Sequence, residues 1–233
     1  MKPASKLFGG ALCLWVAVLP SLGAPANSLT DQEKKEGWKL LFDGATTSGW
    51  RAFGKESFPG QGWQVADGWL LKEDKVRGGD ILTVDQFGDF ELTWEWKITP
   101  GGNNGVKYFI IEKRGAIGHE YQMMDDAGKT DKHSTGSFYD VLPTGGEKPM
   151  KPAGEINQSR ILVRGTHVEH WLNGKMVLEY ECGSPEVVRA VANSKFKNVE
   201  GFGLPHLAPI LLTDHSDGCS FRNIKVRVPV SKE

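Results

Sequence analysis

Nine consecutive residues, Phe90-Glu91-Leu92-Thr93-Trp94-Glu95-Trp96-Lys97-Ile98, place an apolar side chain at every second position. A helix has a period near 3.6 and would spread those side chains around its whole surface, whereas a strand gathers them on one face. Much of the chain repeats the theme in shorter runs. Trp63 to Val65 and Trp69 to Lys72 flank Ala66-Asp67-Gly68, and His167 to Leu172 meets Lys175 to Tyr180 across Asn173-Gly174. Both spacers suit tight turns needing positive φ, so two hairpins are expected. Pro100-Gly101-Gly102-Asn103-Asn104-Gly105 interrupts the long run before Val106 to Ile111, and these two runs are also expected to pair as a hairpin. With Arg160 to Val163, Ile210 to Thr213 and Ser220 to Val228, there are roughly ten short strands, the pattern of an all-β sandwich or barrel. Helix is expected only at Thr30 to Glu36 and as a turn within Glu186 to Ala192.

Residues 1–26 read as a signal peptide. Lys2 and Lys6 precede an apolar run from Leu7 to Leu19, and Ala24-Pro25-Ala26 offers a small-residue cleavage site. The run is too short for a membrane span, so a soluble secreted or periplasmic product without a transmembrane segment is expected, with residues 27–233 as one domain. Losing the two lysines takes the formal net charge from −1 to −3, which excludes a basic nucleic-acid surface. Cys182 and Cys219 remain, either bridged in an oxidising compartment or as two buried thiols. Nothing in the sequence bears on oligomeric state.

Four polar patches stand out: Gly79-Asp80, Asn103-Asn104-Gly105 with Lys107, Glu120 to Asp126, and Thr213-Asp214-His215. Asn103 also fits an ordinary turn. In Glu120-Tyr121-Gln122-Met123-Met124-Asp125-Asp126 the strand period puts Glu120, Gln122 and Met124 on one face and Tyr121 and Met123 on the other. A β-bulge near Met123-Met124 would bring Asp125 to the Glu120 face; regular alternation would bring Asp126. Neighbouring carboxylates suit acid and base roles, a divalent cation, or a structural ion pair. Trp50, Trp63, Trp69, Trp94, Trp96 and Trp171 are expected to be mostly core but not all of it, and one or two in a groove would stack on a sugar ring.

The chain resembles the 3-keto-disaccharide hydrolase domain family across nearly its whole mature length. The matching motifs include Gly37-Trp38-Lys39-Leu40-Leu41-Phe42-Asp43-Gly44, Phe87-Gly88-Asp89-Phe90-Glu91-Leu92, Glu120-Tyr121-Gln122-Met123-Met124-Asp125-Asp126 and His170-Trp171-Leu172-Asn173-Gly174. The resemblance implies a concanavalin A-like jelly-roll β-sandwich of two antiparallel sheets, and cleavage of glycosides already oxidised at C3. A C3 ketone acidifies the C2 hydrogen, so proton abstraction, elimination of the C1 substituent and hydration replace an oxocarbenium route. Carried onto this chain, Glu120, His215 and Asp126 become catalytic candidates, with Glu120 or His215 as the proton-transfer group. Asp80, Asn104, Lys107, Gln122 and Asp125 become substrate-binding candidates. No cofactor is certain; a divalent cation would stabilise enediolate oxygens. Where the family commonly has Gln and Gly around its Asp-His, this chain has Thr213 and Ser216. A non-catalytic carbohydrate-binding module or lectin of the same fold is the alternative.

Overall fold

The computed structural model describes residues 25–228, so the expected leader lies almost entirely outside it. After helix α1 (Asp31–Lys35) come β1 (Lys39–Leu40), β2 (Trp50–Ala52), β3 (Trp63–Ala66), β4 (Trp69–Lys72), β5 (Ile81–Thr83), β6 (Phe90–Ile98), β7 (Asn103–Tyr108) and β8 (His119–Met124). Then follow β9 (Asn157–Arg164), β10 (His167–Leu172), β11 (Lys175–Glu181), α2 (Pro185–Ala192), β12 (Leu211–Leu212) and β13 (Cys219–Arg227). Helix α1 is nucleated by a reciprocal cap, in which Glu33 N–H donates to the Thr30 hydroxyl and Thr30 N–H to the Glu33 carboxylate.

The strands form two antiparallel sheets, giving the jelly-roll sandwich expected. The larger runs β11-β10-β9-β6-β13-β4-β3, with β1 beside the second half of β13; the smaller runs β2-β5-β12-β7-β8. Phe90, Leu92, Trp94, Trp96 and Ile98 all face inward and are almost fully buried, as the alternation requires. Each such side chain contributes roughly 1.5–3 kcal/mol. Both short-turn hairpins form: Asp67 and Gly68 have φ of 51° and 75°, Asn173 and Gly174 46° and 81°. These are the positive values a two-residue turn needs.

The third hairpin does not form. β6 pairs with β13 and β9, whereas β7 pairs with β8 and β12 in the other sheet. The glycine-rich turn between them carries the chain across the sandwich, a crossing that alternation within each run cannot reveal. Cys182 and Cys219 are buried free thiols. Among the described residues no helix is long and apolar enough to cross a membrane.

Candidate active site on the small sheet

The β7–β8 register is unbroken from Asn103↔Met124 to Tyr108↔His119, with no bulge. Tyr121 and Met123 are fully buried between the sheets, so Glu120 and Gln122 lie on the outer face of the small sheet. Lys107 is opposite Glu120, and Gly105 is opposite Gln122. The row continues from Lys107 to Leu211 and Leu82, which are buried with Ile110 and Ala208 in a second apolar cluster flanked by Phe53 and Ala116. One end of the outer face is thus covered, and the polar residues gather at the other.

Glu120 is 5% exposed and lies across Gly105, which has no side chain to obstruct it. One carboxylate oxygen, Oε2, is 3.7 Å from the Lys107 ammonium; the other, Oε1, is buried and accepts no hydrogen bond. Burial raises the Glu120 pKa, and Asp80 raises it further; Lys107, His215 and Lys195 oppose that shift. An unsatisfied buried oxygen among cations is a feature common at functional sites. Beside it the Gln122 amide donates to Asn103 Oδ1 at 2.7 Å.

The loop carrying His215 is anchored on both sides. Asp214 accepts from Gly78 N–H and Gly79 N–H at 2.7 Å each and from Ser216 N–H, and it pairs with buried Lys72 at 3.1 Å. Burial pushes its pKa up, but these donors outweigh that and hold the carboxyl below its usual value. Asp214 N–H donates to Asp80 Oδ1, and Asp217 accepts from Asn103 N–H. His215 between them remains exposed. The fold therefore brings together Glu120, Gln122, Lys107, Asp80 and His215.

Three expected site residues lie elsewhere. Asp126 is buried in an ion pair with Lys148 at 2.9 Å and also accepts from Gly128 N–H and Thr135 N–H, so its oxygens are committed to loop structure. Asp125 accepts from Gly101 N–H and lines a cavity of about 390 Å³ with Gly128, Glu147, Lys148 and Met150. The strand ends at Met124 before either aspartate can continue its alternation. Asn104 is fully buried on the Met123 side; it donates to Thr213 O and accepts from Gly105 N–H, clamping β7 to the chain after β12. The asparagine on the Glu120 face by position is its neighbour Asn103.

A family model described as a 3-keto-alpha-glucoside-1,2-lyase-like domain matches residues 37–227. The chain belongs to this family. A 3-keto-disaccharide hydrolase from Bacteroides thetaiotaomicron is 30% identical over 249 aligned residues, covering 88% of this chain and 83% of the relative. Two crystal structures from Parabacteroides distasonis, each named a candidate glycosyl hydrolase, have the same fold. The first has a TM-score of 0.78 at 30% identity, covering 88% of this chain and 99% of its own. The second has 0.67 at 27% identity, covering 82% and 98%.

Within this lyase-like domain, Ser216 has φ of 68°, the left-handed region in which glycine is unstrained. The serine keeps the turn through Ser216 N–H to Asp214 and Lys75 N–H to Ser216 O. Two further residues bordering the site escape sequence reasoning, Tyr139 and Lys195, because irregular segments deliver them. Among the described residues, no three His, Cys, Asp or Glu side chains converge as a cation site. Asp126, one of the carboxylates considered for one, pairs with Lys148 instead.

Proposed function

We propose that this protein cleaves 3-keto-glycosides, 3-keto-disaccharides among them, by abstraction of the C2 proton at Glu120. Membership of the lyase-like family and the hydrolase relative support a carbohydrate enzyme. The observation that carries the mechanism is the buried, unpartnered Glu120 Oε1 on a sheet face edged by amides and cations. A carboxyl raised by burial is a stronger base than one in water, which matches a C–H acidified by an adjacent ketone.

Glu120 takes the C2 proton, and the C–H electron pair forms the C2–C3 enediolate with negative charge on the C3 oxygen. The C3 carbonyl then re-forms, C1=C2 forms, and the C1–O bond breaks as His215 gives a proton to the departing oxygen. Water adds its hydroxyl to C1 and a proton to His215, while the Glu120 carboxyl, after exchanging its proton with solvent, protonates C2. Lys107, opposite Glu120, balances charge. The Gln122–Asn103 amide pair and Asp80 bind hydroxyls. The leader pattern supports an exported enzyme.

The test is incubation of purified protein with a 3-keto-disaccharide and with its unoxidised parent. Cleavage of the keto form alone is expected. Binding of both without cleavage would leave a lectin and overturn the proposal.

A further inference from the structure

The small sheet does not end at β8. Tyr121 forms a bridge with Phe138, Tyr139 N–H donates to Glu120 O at 3.0 Å, and Gly136 N–H donates to Gln122 O at 2.9 Å. Residues 136–139 therefore run against β8 through one isolated bridge and its flanking hydrogen bonds. Phe138 is fully buried beside Tyr121, and the half-buried Tyr139 follows it opposite Glu120, to whose carbonyl it is bonded. Tyr139 is thereby fixed by its backbone to the residue that follows Lys107 and Leu211 in the row.

Lys195 lies on that ring, its ammonium 4.2 Å from the Tyr139 centroid and 5.1 Å from that of Phe196. Its backbone is fixed as well, since Lys195 N–H donates to Asp140 Oδ2 at 2.7 Å. Asp140, at φ of 61°, is clamped by Lys132 at 2.7 Å and His133 at 3.0 Å. Burial pushes the Asp140 carboxyl up, but these partners overcome it and hold the pKa at about 2. The segment following α2 is thus tied to the edge of the small sheet, and the exposed lysine is held over an aromatic face rather than by a carboxylate.

The other lysine near Glu120 is already engaged: Lys107 donates to Ala116 O at 3.0 Å and faces Glu120 Oε2. Lys195 has no such engagement among the described residues, and its charge reaches Glu120. We propose that Lys195, seated on Tyr139, is a substrate-binding residue of this site that places its ammonium against the C3 oxygen of the bound sugar. This rests on the Glu120 face being the reaction site. Tyr139 is a positioning residue, acting through its ring and not through its hydroxyl. The arrangement supplies positive charge where the enediolate oxygen develops, while Lys107 stays with the carboxylate.

The experiment combines variants with two readouts. On a 3-keto-disaccharide, Lys195→Met is expected to lower kcat about 100- to 1000-fold, with smaller change in KM, as for loss of a donor to a developing oxyanion. Lys195→Arg should restore part of the loss and Tyr139→Phe should retain activity. Tyr139→Leu should resemble Lys195→Met without adding to it in the double variant. Without substrate, the Glu120 carboxyl carbon, followed by NMR, should titrate at higher pH in Lys195→Met than in the parent protein. Unchanged kcat in Lys195→Met, additive losses in the double variant, or Tyr139→Phe as damaging as Tyr139→Leu would overturn the assignment. An unchanged Glu120 titration would overturn the placement even if the parent protein cleaved no keto-sugar, an outcome that would instead sink the proposed function.

Discussion

A methyl group on Gly105 would overlap Oε1 of Glu120, so the carboxylate occupies space that only glycine leaves open. Gly105 does not have a positive φ, which makes its substitution a test of space and not of backbone strain. Gly105→Ala is expected to displace Glu120 and lower kcat about 100-fold, the scale of an ångström misplacement of a reacting group. Steady-state kinetics with a 3-keto-disaccharide, alongside a thermal melt showing a folded protein, checks this. Retained kcat would mean that the seat over Gly105 is irrelevant.

Asp126 and Lys148 form a buried pair remote in role from proton transfer. Asp126→Asn should destabilise the fold by about 3–5 kcal/mol, because it strands a buried lysine. The surviving folded molecules should turn over normally. Urea unfolding and kcat per folded molecule separate the two effects; a loss of kcat with unchanged stability would return Asp126 to the catalytic set.

The inside/outside division of Glu120 and Tyr121 was readable because strand alternation is local. The fate of Asp126 was not, since it depends on Lys148 and Thr135 returning from a long irregular connection. Likewise the alternation of Phe90 to Ile98 identifies a strand but not its sheet, so it cannot show that β6 and β7 belong to different sheets. Asn103 and Asn104 differ by one position in register, and the turn-like sequence concealed that both begin β7. Tyr139 and Lys195 carry no periodic signal.

Asn104 and Asn103 should respond differently to truncation. Asn104→Ala removes bonds to Thr213 O and Gly105 N–H in a fully buried setting and should cost about 1–3 kcal/mol of stability. Asn103→Ala frees the Gln122 amide on the outer face and should raise KM several-fold with little change in the melt. The reverse pattern would place the sugar on the other side of the strand.

The interior predicts acid lability. His170 donates from Nδ1 to Gly136 O, so its Nε2 accepts from the Tyr108 hydroxyl and the ring is neutral. Burial lowers its pKa to about 4, and burial lowers that of His119 as well. Unfolded histidine binds a proton near pH 6.5 and the folded rings do not, so stability falls as pH drops from about 6.5 toward 4. His170 alone accounts for about 3 kcal/mol of that loss. Urea midpoints between pH 8 and 4.5 read it directly; a flat profile above pH 5 would contradict a neutral buried ring.

Ser216 occupies a glycine conformation, so Ser216→Gly should be neutral or stabilising by up to about 1 kcal/mol and leave kcat near its parent value. Chemical denaturation with parallel kinetics checks both.

The central claim is that Glu120 removes the C2 proton. The direct measurement follows a 3-keto-disaccharide labelled with deuterium at C2, comparing the parent protein with Glu120→Gln. The parent should cleave it with a primary isotope effect and release deuterium to solvent, whereas Glu120→Gln should lose both cleavage and exchange while still binding the sugar. Unchanged cleavage and exchange by Glu120→Gln would contradict the account.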